Sequence, residues 1–92
     1  MALVKTVTMG VYNLPLEYHR VHAIYKVVNE GTRIITRSYL NSNEREREKS
    51  GESVFVHESD EPAEEWEGPM TAAEAYAWLK ENRPEFEDAE DC

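Results

Sequence analysis

The sequence predicts an α+β domain, an antiparallel β-meander of three to four strands with one C-terminal helix packed on it. Three observations carry this expectation. β-branched and aromatic residues alternate with polar ones through most of residues 3–40. The tetrad Thr71-Ala72-Ala73-Glu74 has capping-box spacing and opens an apolar stripe of helical period. The chain has 92 residues, which is room for one domain and one modest core, and domains of this size bury only roughly 60–65% of their unfolded surface.

Leu3 to Met9 reads as the first strand, and residues 10–16 as a turn region with Gly10, Asn13 and Pro15. Pro15 lacks a ladder donor, so a strand there is an edge or a fresh start. Glu17 to Val28 is the second strand. Strict alternation puts Val21, Ala23, Tyr25 and Val27 on its core face and Tyr18, Arg20, His22, Ile24 and Lys26 on the other. Asn29-Glu30-Gly31 makes a short turn, with Gly31 in the left-handed position, and Thr32 to Leu40 returns as the hairpin partner.

Residues 41–52 contain no apolar side chain and read as a polar loop. Ser53 to His57 reads as a further strand. Residues 58–68 form an acidic linker that Trp66 anchors to the body, since a large aromatic seldom stays in water. In the helix, Ala72, Ala75, Tyr76 and Leu79 form the stripe that faces the sheet, and Pro84 ends the helix. Residues 85–92 read as an acidic tail.

Charge is unevenly distributed. Residues 1–40 carry five basic and two acidic side chains, a net of +3, whereas residues 41–92 carry five basic and seventeen acidic ones, a net of −12. The net of −9 argues against nucleic-acid binding, which needs a basic footprint on phosphates. Part of the acidic surplus is expected to pair with the arginines of the sheet. No apolar run approaches the roughly 20 residues of a membrane helix, and Met1 to Lys5 is too short for a signal-peptide core. A single cysteine, Cys92, cannot form an intrachain disulfide and fits a reducing compartment.

No catalytic, cofactor or metal constellation emerges. His19 and His22 are three apart, on opposite faces of a strand, and His57 lies on another segment, so the convergent donors of a zinc site are missing. Cys92 sits beside Glu90 and Asp91, which disfavour a nucleophilic thiolate. The carboxylates occur in solvated runs, and the four glycines are spread one per turn. The expected surfaces are therefore protein-contact surfaces: Tyr18, Arg20, His22, Arg37 and Tyr39 on the hairpin, with Trp66 and Trp78. Tyr, Trp and Arg are the side chains that most often dominate interface energies. Trp78 lies off the helical stripe, which leaves two readings, a partner contact or packing under the linker beside Trp66.

The blocks Met1-Ala2-Leu3-Val4-Lys5-Thr6-Val7-Thr8, Tyr18-His19-Arg20-Val21, Arg37-Ser38-Tyr39, Ala75-Tyr76-Ala77-Trp78-Leu79-Lys80 and Pro84-Glu85-Phe86, closed by Asp91-Cys92, follow in this order and spacing. In this the chain resembles a family of short tailed-phage and prophage proteins encoded among late tail or tail-fibre genes. Residues 41–67 are more polar than the family pattern. The resemblance implies a non-enzymatic virion-associated or tail-assembly protein without a cofactor. Its partners would be other tail proteins, and homo-oligomerisation would add buried surface. It would be found in the bacterial host cytoplasm or incorporated into the virion. The alternative is an acidic regulatory protein of a mobile element acting on a host protein.

Overall fold

The computed structural model describes residues 2–9, 13–28, 31–52 and 57–91. The turn residues Gly10, Asn29 and Glu30, residues 53–56 of the strand expected over Ser53 to His57, and Cys92 lie outside the described residues. One antiparallel sheet of five strands forms, in the order β4-β3-β2-β1-β5. Its strands are β1 (Leu3–Met9), β2 (Leu14–Val27), β3 (Gly31–Tyr39), β4 (His57–Ala63) and β5 (Glu90–Asp91). The helices are α1 (Ser42–Lys49) and α2 (Ala72–Asn82), followed by a 3-10 turn at Pro84–Phe86. The first four strands make a meander, and the short β5 adds to the far side of β1.

Alternation in β3 is regular. Thr32, Ile34, Thr36 and Ser38 are buried, while Arg33, Ile35 and Arg37 are half-buried on the opposite face. Strand β2 follows a different course from the one its alternation suggests. Val21 pairs with Thr36 and Ala23 with Ile35, which makes His22 the extra residue of a β-bulge. A bulge shifts every later side chain to the other face. Ile24 therefore stands opposite Ile34 and packs on the core, as Val21 does from the other side of the bulge. Ala23, Tyr25 and Val27 are turned to the second face.

The core gathers Leu3, Ile34, Ala63, Ala75, Tyr76, Trp78, Leu79, Phe86 and Ala89. Helix α2 begins as its sequence indicates. Thr71 Oγ1 accepts from the Glu74 N–H at 3.2 Å, and the Glu74 carboxylate accepts from the Thr71 N–H at 3.0 Å. Its buried face is wider than the expected stripe, comprising Ala75, Tyr76, Trp78 and Leu79, with Ala72 exposed at the first turn. The reason is the segment after β4. Trp66 and Met70 from it pack on the core and cover the flank of the helix that carries Trp78. Each large side chain so buried contributes roughly 1.5–3 kcal/mol.

Three segments expected to be irregular are ordered. The polar loop over 41–52 contains α1, capped by Asn41 Oδ1 accepting from the Glu44 N–H at 3.2 Å. It is stabilised by the i,i+3 pairs Arg47–Glu44, Arg45–Glu48 and Lys49–Glu46. The acidic linker over 58–68 begins as β4, whose Glu58 stands opposite Arg37. The acidic tail over 85–92 buries Phe86 and Ala89 and pairs Glu90 and Asp91 with Val4 and Leu3. In each case ion pairs or one or two apolar anchors replace the apolar periodicity that marks an element in a sequence.

His19 holds an irregular stretch of β1. The β1–β2 register shifts between Val4 and Val7, and the Lys5 carbonyl in that stretch lies 2.8 Å from His19 Nε2. A carbonyl only accepts, so Nε2 donates, and the remaining Nδ1 accepts from Ser38 Oγ at 2.7 Å. The ring is 1% exposed and meets Phe86 edge-on. Burial pushes the imidazole below its ordinary value of 6.5, although the Lys5 and Leu16 carbonyls oppose this. The folded state thus holds His19 neutral while the unfolded chain takes up a proton first. Its contribution to stability is full above the unfolded value and declines as pH falls below it toward the depressed folded value. Urea midpoints should therefore fall between pH 7 and pH 5, and His19→Gln should flatten that slope relative to wild type. An unchanged slope in the variant would remove His19 as the cause.

Candidate functional site: the tyrosine–arginine end of the hairpin

The open end of the β2–β3 hairpin, opposite its turn, brings together most of the side chains singled out in the sequence. Tyr18 stands opposite Tyr39, and Arg20 opposite Arg37. The two tyrosine rings meet edge-on at 5.9 Å. Two arginines directly across a ladder repel each other, so the arrangement needs compensation. Glu58 of β4 accepts from Arg37 Nε at 2.9 Å, and Glu48 of α1 lies 3.6 Å from Arg37.

Glu48 is also what docks α1. Its carboxylate accepts from Tyr39 O–H at 2.8 Å and from Arg45 at 3.0 Å. The helix buries no residue of its own, so it rides on the sheet through these polar contacts. Tyr39 is fully buried beneath it and is not available as a surface contact. Burial, followed by the hydrogen bond to Glu48, pushes the Tyr39 phenol up to about 12.

Arg20 has a different environment. It meets no carboxylate among the described residues, and its guanidinium points to His22 Nδ1 at 3.3 Å and the Val21 carbonyl at 3.4 Å. His22 lies exposed at the bulge. Partial burial lowers its pKa first, and the Arg37 and Arg20 charges lower it further. The imidazole is thereby favoured in the neutral form that accepts from Arg20.

A cleft of about 290 Å³ opens beside Arg20, lined by Tyr18, Arg20, Arg45, Lys49, Ala72 and Tyr76. It exists because β1 stops pairing at Leu3–His19 and leaves the β2 edge from Arg20 onward without a strand neighbour among the described residues. The Val21 N–H donates instead to the Tyr76 hydroxyl at 2.8 Å. Arg45 and Lys49 reach the cleft from α1, and Ala72 brings the first turn of α2. Arg45, Lys49, Ala72 and Tyr76 were not among the sequence candidates. The only sequence signal for the two cations was the Glu/Arg/Lys alternation at i,i+3, which a loop reading discards.

The two tryptophans lie elsewhere. Trp78 is 6% exposed and belongs to the core, with its Nε1–H donating to Glu65 at 2.6 Å and Arg83 stacked on its ring at 4.8 Å. Arg83 in turn pairs with Glu61. This is the packing alternative for Trp78, not a free contact surface. Trp66 is half-buried against the same core and donates to the Pro69 carbonyl at 3.3 Å.

Among the described residues no three His, Cys, Asp or Glu side chains converge as metal donors, and no helix is long and apolar enough to cross a membrane. The chain matches no protein-family model, no curated protein and no solved structure.

Proposed function

We propose that this chain is a non-enzymatic virion-associated or tail-assembly protein of tailed phage or prophage, working through protein–protein contacts made at the tyrosine–arginine end of its hairpin. The observation that carries the reading is the placement of Tyr18 and Arg20 on a cleft, with His22 against Arg20 and no carboxylate on Arg20 among the described residues, in a chain of 19 acids and 10 basic residues. An arginine so placed spends its donors only on the long contacts to the Val21 carbonyl and His22, and Tyr and Arg are the side chains that most often dominate interface energy. The ordered sequence blocks that resemble small phage tail-module proteins supply the biological setting.

Mass spectrometry of purified virions from a phage or induced prophage carrying the gene tests this directly. The protein is expected in the particle or in tail-assembly intermediates. Its absence from both, with light scattering showing a strict monomer that ignores purified tail components, would sink the reading. The second reading, a regulatory protein acting on a host protein, draws on the carboxylates at Glu81, Glu87, Asp88, Glu90 and Asp91, all on exposed residues. Expression from early genes, without incorporation into virions, would favour it.

A further inference from the structure

We propose that the cleft between α1, the Tyr18–Arg20 stretch of β2 and the first turn of α2 receives a carboxylate-bearing segment of a protein partner, seating a Glu or Asp side chain on Arg20. This rests on reading the chain as a protein-contact component, and it names the chemistry of the partner.

Three cations from two elements line the cleft, Arg20 from β2 and Arg45 and Lys49 from α1. Arg45 is already tied to Glu48 at 3.0 Å and Lys49 to Glu46 at 3.1 Å. Arg20 is therefore the anchoring charge and the other two are auxiliary. A guanidinium presents a planar fork that fits a carboxylate bidentately. Ala72 contributes the first turn of an eleven-residue helix, the positive end of its dipole. The lowered His22 pKa, in which the Arg37 and Arg20 charges follow burial as causes, is the response of a neighbouring base to the same positive potential.

The surroundings select among anions. Glu17 adjoins Tyr18 in sequence, and Glu48 and Glu46 pair with Arg45 and Lys49, so a run of phosphates would meet carboxylates within one or two charges of Arg20. Nucleic acids need a longer basic track. The cleft is also walled by Tyr18 and Tyr76, aromatic surface that suits the methylene stem of an acidic side chain and its flanking backbone. A free phosphate uses none of that wall.

The test uses the intact chain and a blocked peptide of sequence Gly-Glu-Asp-Glu-Gly, with inorganic phosphate as the second probe. NMR titration at low salt should perturb the signals of Arg20, Arg45 and Lys49, and calorimetry should show binding that high salt abolishes. Arg20→Gln should weaken the peptide by at least about tenfold, while Lys80→Gln, at the other end of α2, leaves it unchanged. Amide spectra matching wild type establish that the variant is folded. Arg20→Lys provides a second measurement, since it keeps the charge and loses the fork, and weaker binding is expected there too.

The proposal is overturned if the peptide leaves those residues undisturbed, if both Arg20 variants bind as wild type does, or if phosphate binds as tightly as the peptide. Virion mass spectrometry decides the assembly reading separately. A protein found in particles whose cleft ignores the peptide keeps that reading and loses this one. A cleft that binds the peptide in a protein absent from particles does the reverse.

Discussion

Replacing Trp78 with alanine is expected to destabilise the domain by about 3–5 kcal/mol, the usual cost of emptying a buried aromatic site. The side chain is surrounded by the α2 core, by the 64–70 segment and by Arg83. Its loss removes the packing surface and also the base on which Arg83 is stacked. Arg83 pairs with Glu61 of β4, so the damage extends from the helix to the outermost strand. Domains of this kind are stable by only about 5–15 kcal/mol, and one substitution would remove a large share of that. Urea denaturation of wild type, Trp78→Ala and Trp78→Phe checks this. The phenylalanine variant should recover most of the loss, since the Glu65 partner sits at an exposed position. A loss below about 1 kcal/mol for alanine would place Trp78 at the surface and restore it as a partner contact.

The second large effect is expected at Gly31, where β3 begins. Its φ is +81°, and a Cβ built there would stand 2.6 Å from the Glu64 carbonyl oxygen and 2.8 Å from its Cα. Both obstacles are backbone, which cannot rotate away as a side chain would. Gly31→Ala should therefore combine the left-handed penalty, about 1–2 kcal/mol, with an overpacking cost of about 1–3 kcal/mol. The substitution at Gly68 provides the internal comparison. Its φ is +80°, yet nothing lies within 4 Å of a built Cβ. Gly68→Ala should therefore show the conformational penalty alone. Thermal midpoints for the two variants measure the difference, and equal losses would show that the approach to Glu64 costs nothing.

The parts of the fold that were legible in the sequence are those that bury apolar side chains at regular spacing. The hairpin, the capping box and the termination of α2 before Pro84 all belong to this class. The parts that were not legible hold themselves by charge. Helix α1 has no apolar stripe, and only Asn41 as a cap and three i,i+3 pairs distinguish it from a solvated loop. Strand β4, His-Glu-Ser-Asp-Glu-Pro-Ala, has almost no β propensity and is recruited by the arginines of β3. The His22 bulge was invisible for another reason. Alternation reads the same on both sides of an inserted residue, so Ile24 was assigned to the wrong face. Of the site, Arg20 and Tyr18 could be picked from residue type alone. Tyr39 could not be discounted, because the helix that covers it reads as a loop. Arg45 and Lys49 were hidden for the same reason.

The composition of β4 also bears on how the sheet finds its alignment. Hydrophobic patterning ordinarily forbids a strand from sliding, because a shift of one residue exposes its apolar set. Strand β4 contributes only Ala63 to the buried core, so patterning gives it little discrimination. The native alignment is held by Glu58 on Arg37 and by Asp60 reaching Arg33 on the diagonal, with Pro62 opposite Arg33 in the ladder. The uneven charge of the two halves thus acts as a graded scale that favours settings in which arginine stands beside carboxylate. That scale is read through water, so added salt blurs it for this strand first, while the alignment of β2 with β3, set by Ile24 and Ile34, stays sharp.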